Sequence, residues 1–109
     1  MIGFIKKIFG NGGNEMLREA LKGEVFLVDV RSPEEFASGS VSRAVNIPLG
    51  TLPAQLEKFE GKEVIVVFCR SGMRSRQAKG VLKKAGYHRV INGGAWQQVK
   101  DMVENRGQD

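Results

Sequence analysis

The one cysteine in this 109-residue chain, Cys69, is followed directly by Arg70, Ser71, Gly72, Met73 and Arg74. A cysteine attacks as its thiolate, and positive neighbours together with a helix N-terminus can bring a thiol pKa from about 8.5 into the range of roughly 3.5–7.5. Gly72 allows a tight turn that aims successive backbone N–H groups inward, while Arg70 and Arg74 each carry a fork that can grip an oxyanion. The bland alternative for a free cysteine is a small buried hydrophobe at a strand end. Two arginines, a serine and a glycine make an odd surround for core packing, so the reading favoured is a reactive thiol in an anion cradle. A thiol activated this way needs no partner base. His88, the only histidine, follows Gly86 and Tyr87 at a distance from the motif and is read as a surface or capping residue.

Such a loop needs a rigid mount. Val64–Phe68 is a mostly β-branched run that suits a strand buried on both faces, and the residues after Arg74 turn to helical spacing, with Ala78, Val81, Leu82 and Ala85 on one face and Gly86 as the stop. Strand, tight loop and helix N-terminus together favour negative charge at one spot, where Cys69 sits. Upstream, Asn14 to Leu21 reads as a short helix and Glu24–Val30 as a second apolar strand that ends beside Asp29 and Arg31. Ser32, Pro33 and Glu35 spell a capping box with proline at the first helical position, which predicts a helix from Pro33 to about Ser38. Ala44–Asn46 is a short strand ahead of Pro48. Leu52, Leu56 and Phe59 recur at helical spacing, predicting a helix capped by Thr51 and closed by Gly61. Arg89–Ile91 is the last strand, Asn92–Gly94 a turn, and Ala95, Trp96, Val99, Met102 and Val103 line a final helix.

Strands alternating with helices at these spacings imply a mainly parallel α/β sheet with helices on both faces, and the working crevice of such a sheet lies beyond the carboxyl ends of its strands. That rule gathers Asp29 and Arg31, the Cys69 loop, and Asn92–Trp96 at one edge.

The bulk numbers bound the rest. A chain of this length with 41% hydrophobic residues builds one core. Domain organisation is read as an N-terminal segment and Gly-rich joint at 1–13, a domain at 14–105 and a polar tail at 106–109. The opening segment is too short and too lysine-broken for a signal peptide or a spanning helix; as a helix its stripe of Ile2, Ile5 and Phe9 could lie on a membrane surface or dock on a partner, but the favoured reading is that it folds back over the domain's own apolar surface, for instance as an edge strand, and membrane association is not expected. One cysteine excludes an internal disulfide and fits a reducing cytoplasm, and no Cys/His cluster suggests a metal or other cofactor. Net charge is +5, and Arg70, Arg74, Arg76, Lys79, Lys83, Lys84 and Arg89 fall in twenty residues without Asp or Glu. This field suits small anions or an acidic partner; no nucleic-acid motif accompanies it.

The heptapeptide Cys69 to Ser75 resembles the active-site loop of single-domain rhodaneses, the thiosulfate sulfurtransferases. Asp29-Val30-Arg31 with Glu35-Phe36, Gly39, Ala44 to Pro48, and Gly93-Gly94-Ala95-Trp96 are similar to that family's other landmarks, in the same order over most of the chain. The resemblance implies a five-stranded parallel sheet, with residues 4–9 as the candidate for the first strand. It also implies a reaction in which Cys69 takes a sulfane sulfur from thiosulfate or a persulfide donor, holds it as a persulfide, and passes it to a thiol, cyanide or an acceptor protein. Carried over by position, Cys69 is the sulfur acceptor, Arg70, Ser71, Gly72, Met73 and Arg74 are the cradle, and Arg74 orients an anionic donor. Asp29, Arg31, Glu35 and Ser75 support the loop, and Trp96 is core or crevice wall. Ser40 departs from the family, which often has His there. Phosphatases and arsenate reductases resembling this fold place five residues between Cys and Arg; four stand here, which favours the smaller sulfur target. The rivals are therefore a non-catalytic module with the same shape and, more remotely, a phosphatase or arsenate reductase.

Overall fold

In the computed structural model, which describes residues 14–105, the elements in chain order are helix α1 (residues 14–21), strand β1 (Phe26–Asp29), helix α2 (Pro33–Ala37), strand β2 (Val45–Asn46), a 3-10 segment (Leu49–Phe59), strand β3 (Ile65–Cys69), helix α3 (Met73–Lys84), strand β4 (Val90–Ala95) and helix α4 (Trp96–Asn105). All strand pairings are parallel, in the order β2-β1-β3-β4. β3 is therefore central, and its five residues are all buried, as a β-branched run without a polar face requires.

Alternation along β3 divides the core. Ile65, Val67 and Cys69 pack with Leu52, Phe59, Ala78 and Leu82 from the 3-10 segment and α3. Val66 and Phe68 pack on the other face with Leu17, Leu21 and Val99 from α1 and α4. Helices thus cover both faces, as expected for a parallel sheet. On the first face Phe26, Phe59 and Tyr87 form an aromatic cluster with ring centroids 5.5 and 5.9 Å apart, and the Tyr87 hydroxyl donates to the Leu56 carbonyl at 3.1 Å.

Three local expectations are corrected. The stretch predicted as a helix from residue 52 is a 3-10 segment that starts at Leu49 and breaks regular geometry at Gln55 (φ −127°, ψ 27°). Pro53 lies inside it, and its ring would crowd the carbonyl four residues back in an α-helix. Thr51 is no cap: Pro48 takes that place without a side-chain bond, and the Thr51 hydroxyl instead donates to the Pro48 carbonyl at 3.1 Å. Leu52 and Phe59 are nonetheless buried, so the spacing reported burial correctly and helix type wrongly.

The second correction concerns Asn92–Gly94, which is not a turn after a strand but part of β4. Val67 pairs with Asn92 and Phe68 with Gly94, leaving Gly93 as the extra residue of a bulge. A Cβ on Gly93 would come within 2.8 Å of Val99 Cγ2 and 3.2 Å of Val66 Cγ1, so α4 can approach the sheet only because that side chain is missing. Third, β3 runs one residue further than the apolar run suggested, and Cys69 is its last member. Among the described residues the sheet has four strands where the resemblance implied five; the expected strand at 4–9 lies outside the described residues.

Candidate active site

β3 delivers Cys69 to the carboxyl edge of the sheet, and only Arg70, Ser71 and Gly72 separate it from α3. The chain turns at Gly72 with φ +105°, a left-handed conformation that glycine adopts freely. That turn aims the Gly72 N–H at Cys69 Sγ, 3.0 Å away. Ser75, one turn into α3 and fully buried, places its Oγ 3.5 Å from the same sulfur. Burial pushes the Cys69 thiol pKa up, but the Ser75 hydroxyl and the backbone N–H groups of Ser75, Gly72 and Ser71 outweigh it, so the thiol titrates below its ordinary range. The leading contributions come from neutral donors, where the residue types had pointed to the arginines.

The two arginines have different surroundings. Arg74 grips Glu35 with both ends of its fork, Nη1 to Oε1 at 2.7 Å and Nη2 to Oε2 at 3.0 Å. Glu35 is held for this by the capping box of α2, in which Ser32 Oγ accepts the Glu35 N–H at 3.2 Å and the Ser32 N–H donates to Glu35 Oε1 at 3.0 Å. The guanidinium of Arg74, followed by the Ser32 N–H, holds the Glu35 carboxyl at about 2. Hydrogen bonding to Glu35 in turn raises the pKa of Arg74. Arg70 is exposed and makes no ion pair among the described residues.

At the end of β1, Asp29 and Arg31 form a buried ion pair with Nη2 to Oδ2 at 2.8 Å and side chains 0% and 5% exposed. The Arg31 backbone N–H donates to Asp29 Oδ1 at 2.9 Å, and Ser40 Oγ donates to Oδ2 at 2.6 Å. Arg31 also donates to the Gly39 carbonyl and lies 4.8 Å from the centre of the Trp96 ring. Asn46 Nδ2 ties the Asp29 and Arg31 carbonyls together at 3.0 Å each. Ser40, the position that departs from the resemblance, thus serves the Asp29 cluster. Trp96 is a half-buried wall over Gly39 and Arg31. His88 is exposed ahead of β4.

The residues singled out in the sequence therefore meet at one edge in two groups, the Cys69 loop with Ser75, Arg74 and Glu35, and the Asp29–Arg31 cluster with Trp96. Sequence reasoning passed over Asn92 as a participant: its Oδ1 accepts from Ser75 Oγ at 2.7 Å and its Nδ2 donates to the Gly72 carbonyl at 3.2 Å. Its only signal was position, at the end of the last strand beside a glycine pair. An open groove lined by Ser71, Gly72, Met73, Arg76, Gly94 and Gln98 adjoins the loop, with Met73 68% exposed.

Comparison with known proteins agrees with this geometry. The rhodanese-like domain family matches residues 14–101. A sulfurtransferase of Allochromatium vinosum is 40% identical over 69 residues, which cover 63% of this chain and 64% of that protein, just under two thirds of its length. The thiosulfate sulfurtransferase PspE of Escherichia coli is 32% identical over 74 residues, 66% of this chain and 71% of that one. Among solved structures, the human single-domain sulfurtransferase TSTD1 superposes with a TM-score of 0.63 at 33% identity, covering 77% of this chain and 88% of that one. A rhodanese from E. coli determined with anions superposes with a TM-score of 0.64 at 31% identity, covering 69% and 91%. With a parallel sheet that ends in a cysteine loop and named sulfurtransferases among its relatives, this chain belongs to the rhodanese-like domain family.

Proposed function

We propose that the protein is a sulfurtransferase that moves a sulfane sulfur through Cys69. The thiolate attacks the outer sulfur of thiosulfate or of a persulfide donor. A new S–S bond forms at Cys69, the donor's own S–S bond breaks, and its electron pair leaves with sulfite or with the donor thiolate. Loop N–H groups hold the charge on the outer sulfur while exposed Arg70 meets the anionic donor. Arg74, paired with Glu35, keeps the loop in place and lends positive charge. The persulfide is then attacked by a thiol, by cyanide or by an acceptor protein, and because the chain has no second cysteine the acceptor comes from outside. A free thiol of this kind works in a reducing compartment such as the cytoplasm. No helix among the described residues is long and apolar enough to cross a membrane.

The observation that carries this reading is the Cys69 sulfur itself, buried at a strand end with the Gly72 N–H at 3.0 Å and Ser75 Oγ at 3.5 Å. Four residues between Cys69 and Arg74 favour sulfur over a tetrahedral phosphate or arsenate centre. Intact mass after incubation with thiosulfate tests it: the protein gains one sulfur, and the Cys69→Ser variant gains none. No gain with thiosulfate or with any persulfide donor would leave the non-catalytic module as the better reading, and turnover of aryl phosphates or arsenate would favour the phosphatase or reductase.

A further inference from the structure

Ser75 has one hydroxyl proton and two acceptors for it. Its Oγ lies 2.7 Å from Asn92 Oδ1 as a donor, and 3.5 Å from Cys69 Sγ in a contact that either group can donate. The Asn92 amide is held in one orientation by its other bonds: Oδ1 also accepts the Gly94 N–H at 2.9 Å, and Nδ2 donates to the Gly72 carbonyl at 3.2 Å. A flipped amide would set a donor against an N–H and an acceptor against a carbonyl. Ser75 is fully buried, so water does not stand in for either partner.

The proton inventory then has two arrangements. With Cys69 as thiol, S–H donates to Ser75 Oγ and Ser75 donates to Asn92. Once Cys69 loses its proton to solvent, the sulfur can only accept, so the Ser75 hydrogen turns to sulfur and Asn92 Oδ1 keeps the Gly94 N–H. We propose that Asn92 is a positioning residue for the reaction at Cys69, acting through the Ser75 hydroxyl: it competes with the Cys69 thiolate for that hydroxyl's proton. The consequence is a thiol acidified by the loop yet restrained, which keeps part of the nucleophilicity that a thiolate loses as its parent thiol becomes more acidic.

The charged groups around Cys69 are Arg70 on the loop, Arg74 and Arg76 on α3, Glu35 on α2, and the Asp29–Arg31 pair at the end of β1; β4 brings no titratable side chain. None of these charges is altered by changes at Ser75 or Asn92; Asn92 also holds the Gly72 carbonyl, whose residue donates its N–H to Cys69, so the hydroxyl's share of a shift is what disappears when Ser75 is absent. Its role in sulfur uptake rests on the proposed sulfur transfer, but the titration does not.

The experiment is the pH dependence of Cys69 alkylation by iodoacetamide, with circular dichroism to verify folding. Ser75→Ala moves the midpoint to higher pH and slows alkylation below it by about tenfold, the order expected for one lost hydrogen bond to a charged group; Ser75→Thr restores it. Asn92→Ala moves the midpoint to lower pH, and in the Ser75→Ala background it leaves the midpoint where Ser75→Ala alone put it. An Asn92→Ala midpoint that is unchanged or higher, or an equal shift in both backgrounds, overturns the proposal. Should Asn92→Ala not fold, Asn92→Asp keeps both acceptor contacts and grips the hydroxyl harder, while its second oxygen loses the bond to the Gly72 carbonyl and its charge raises the midpoint in either background; the rise must be larger when Ser75 is present than when it is absent, and equal shifts overturn the proposal. Sulfur gain from thiosulfate, read by mass on the same variants, fails or succeeds independently of these midpoints.

Discussion

Two carboxylates at this edge of the sheet have opposite settings, and each yields a test. Asp29 is buried with Arg31 and fully hydrogen-bonded, so removing one partner strands the other charge in the core. Arg31→Ala is expected to cost about 3–5 kcal/mol in denaturant unfolding, whereas a surface arginine change costs far less. Glu35 and Arg74 are about one third exposed, so their pair is screened and is worth about 1 kcal/mol at neutral pH. Because folding lowers the Glu35 pKa from 4.5 to about 2, this contribution is complete above the unfolded value and is lost as pH falls through the interval between them. The thermal midpoints of the native protein and of Glu35→Gln should therefore differ by a constant gap at neutral pH that closes toward pH 2. A gap that widens on acidification would contradict the assignment.

At the scale of elements, glycines decide how closely the strand-end loops and helices approach. Gly93 sits in the β4 bulge against the stiff, buried side chain of Val99, so Gly93→Ala forces α4 off the sheet and is expected to cost about 1–3 kcal/mol by thermal or denaturant unfolding. Gly72 has room for a methyl group, the nearest atom to its Cβ position being Gly94 Cα at 3.5 Å, but its φ of +105° strains any other residue. Gly72→Ala should leave the fold largely intact and still slow sulfur loading, because the N–H that meets Cys69 turns with the backbone. Loading at the native rate would show that this N–H is not part of the cradle. The capping box of α2 belongs to the same account: Ser32→Ala costs about 1 kcal/mol and loosens the Glu35 that holds Arg74.

Over the whole molecule, the basic run from Arg70 to Arg89 is almost unneutralised: of its seven charges only Arg74 has a carboxylate partner among the described residues. Such a face accelerates encounter with anions and loses the advantage as salt shortens the Debye length. Sulfur loading from thiosulfate should slow several-fold between about 20 mM and 500 mM salt, in stopped-flow or quenched mass measurements. A thiol protein of acidic surface should likewise discharge the persulfide faster than a basic one of equal thiol pKa, with the difference closing at high salt. Salt-independent rates would assign the run to solubility alone.

Periodicity and local chemistry carried far in this chain. The β-branched run before Cys69, the capping box at Ser32, the glycine stops and the order of motifs were enough to state a parallel α/β sheet of the rhodanese kind and to set Cys69 at its edge, because these features depend on a residue's own type and its near neighbours in sequence. Segments whose form depends on distant partners were not legible in the same way. The 3-10 geometry falls in a stretch whose apolar spacing looked helical but which holds Pro53, whose ring crowds the carbonyl of an α-helical preceding turn, and Asn92–Gly94 joins a strand only because β3 is there to pair with it. The pairing of Arg74 with Glu35, 39 residues away, and the meeting of Ser75 with Asn92, 17 residues on, are decided by how α2, α3 and β4 pack at one edge of the sheet. Sequence alone thus singled out the residue proposed as the nucleophile, and only the tertiary structure decided which donors surround its sulfur, since a hydrogen bond needs two groups within about 3 Å and chain spacing says nothing of that across separate elements.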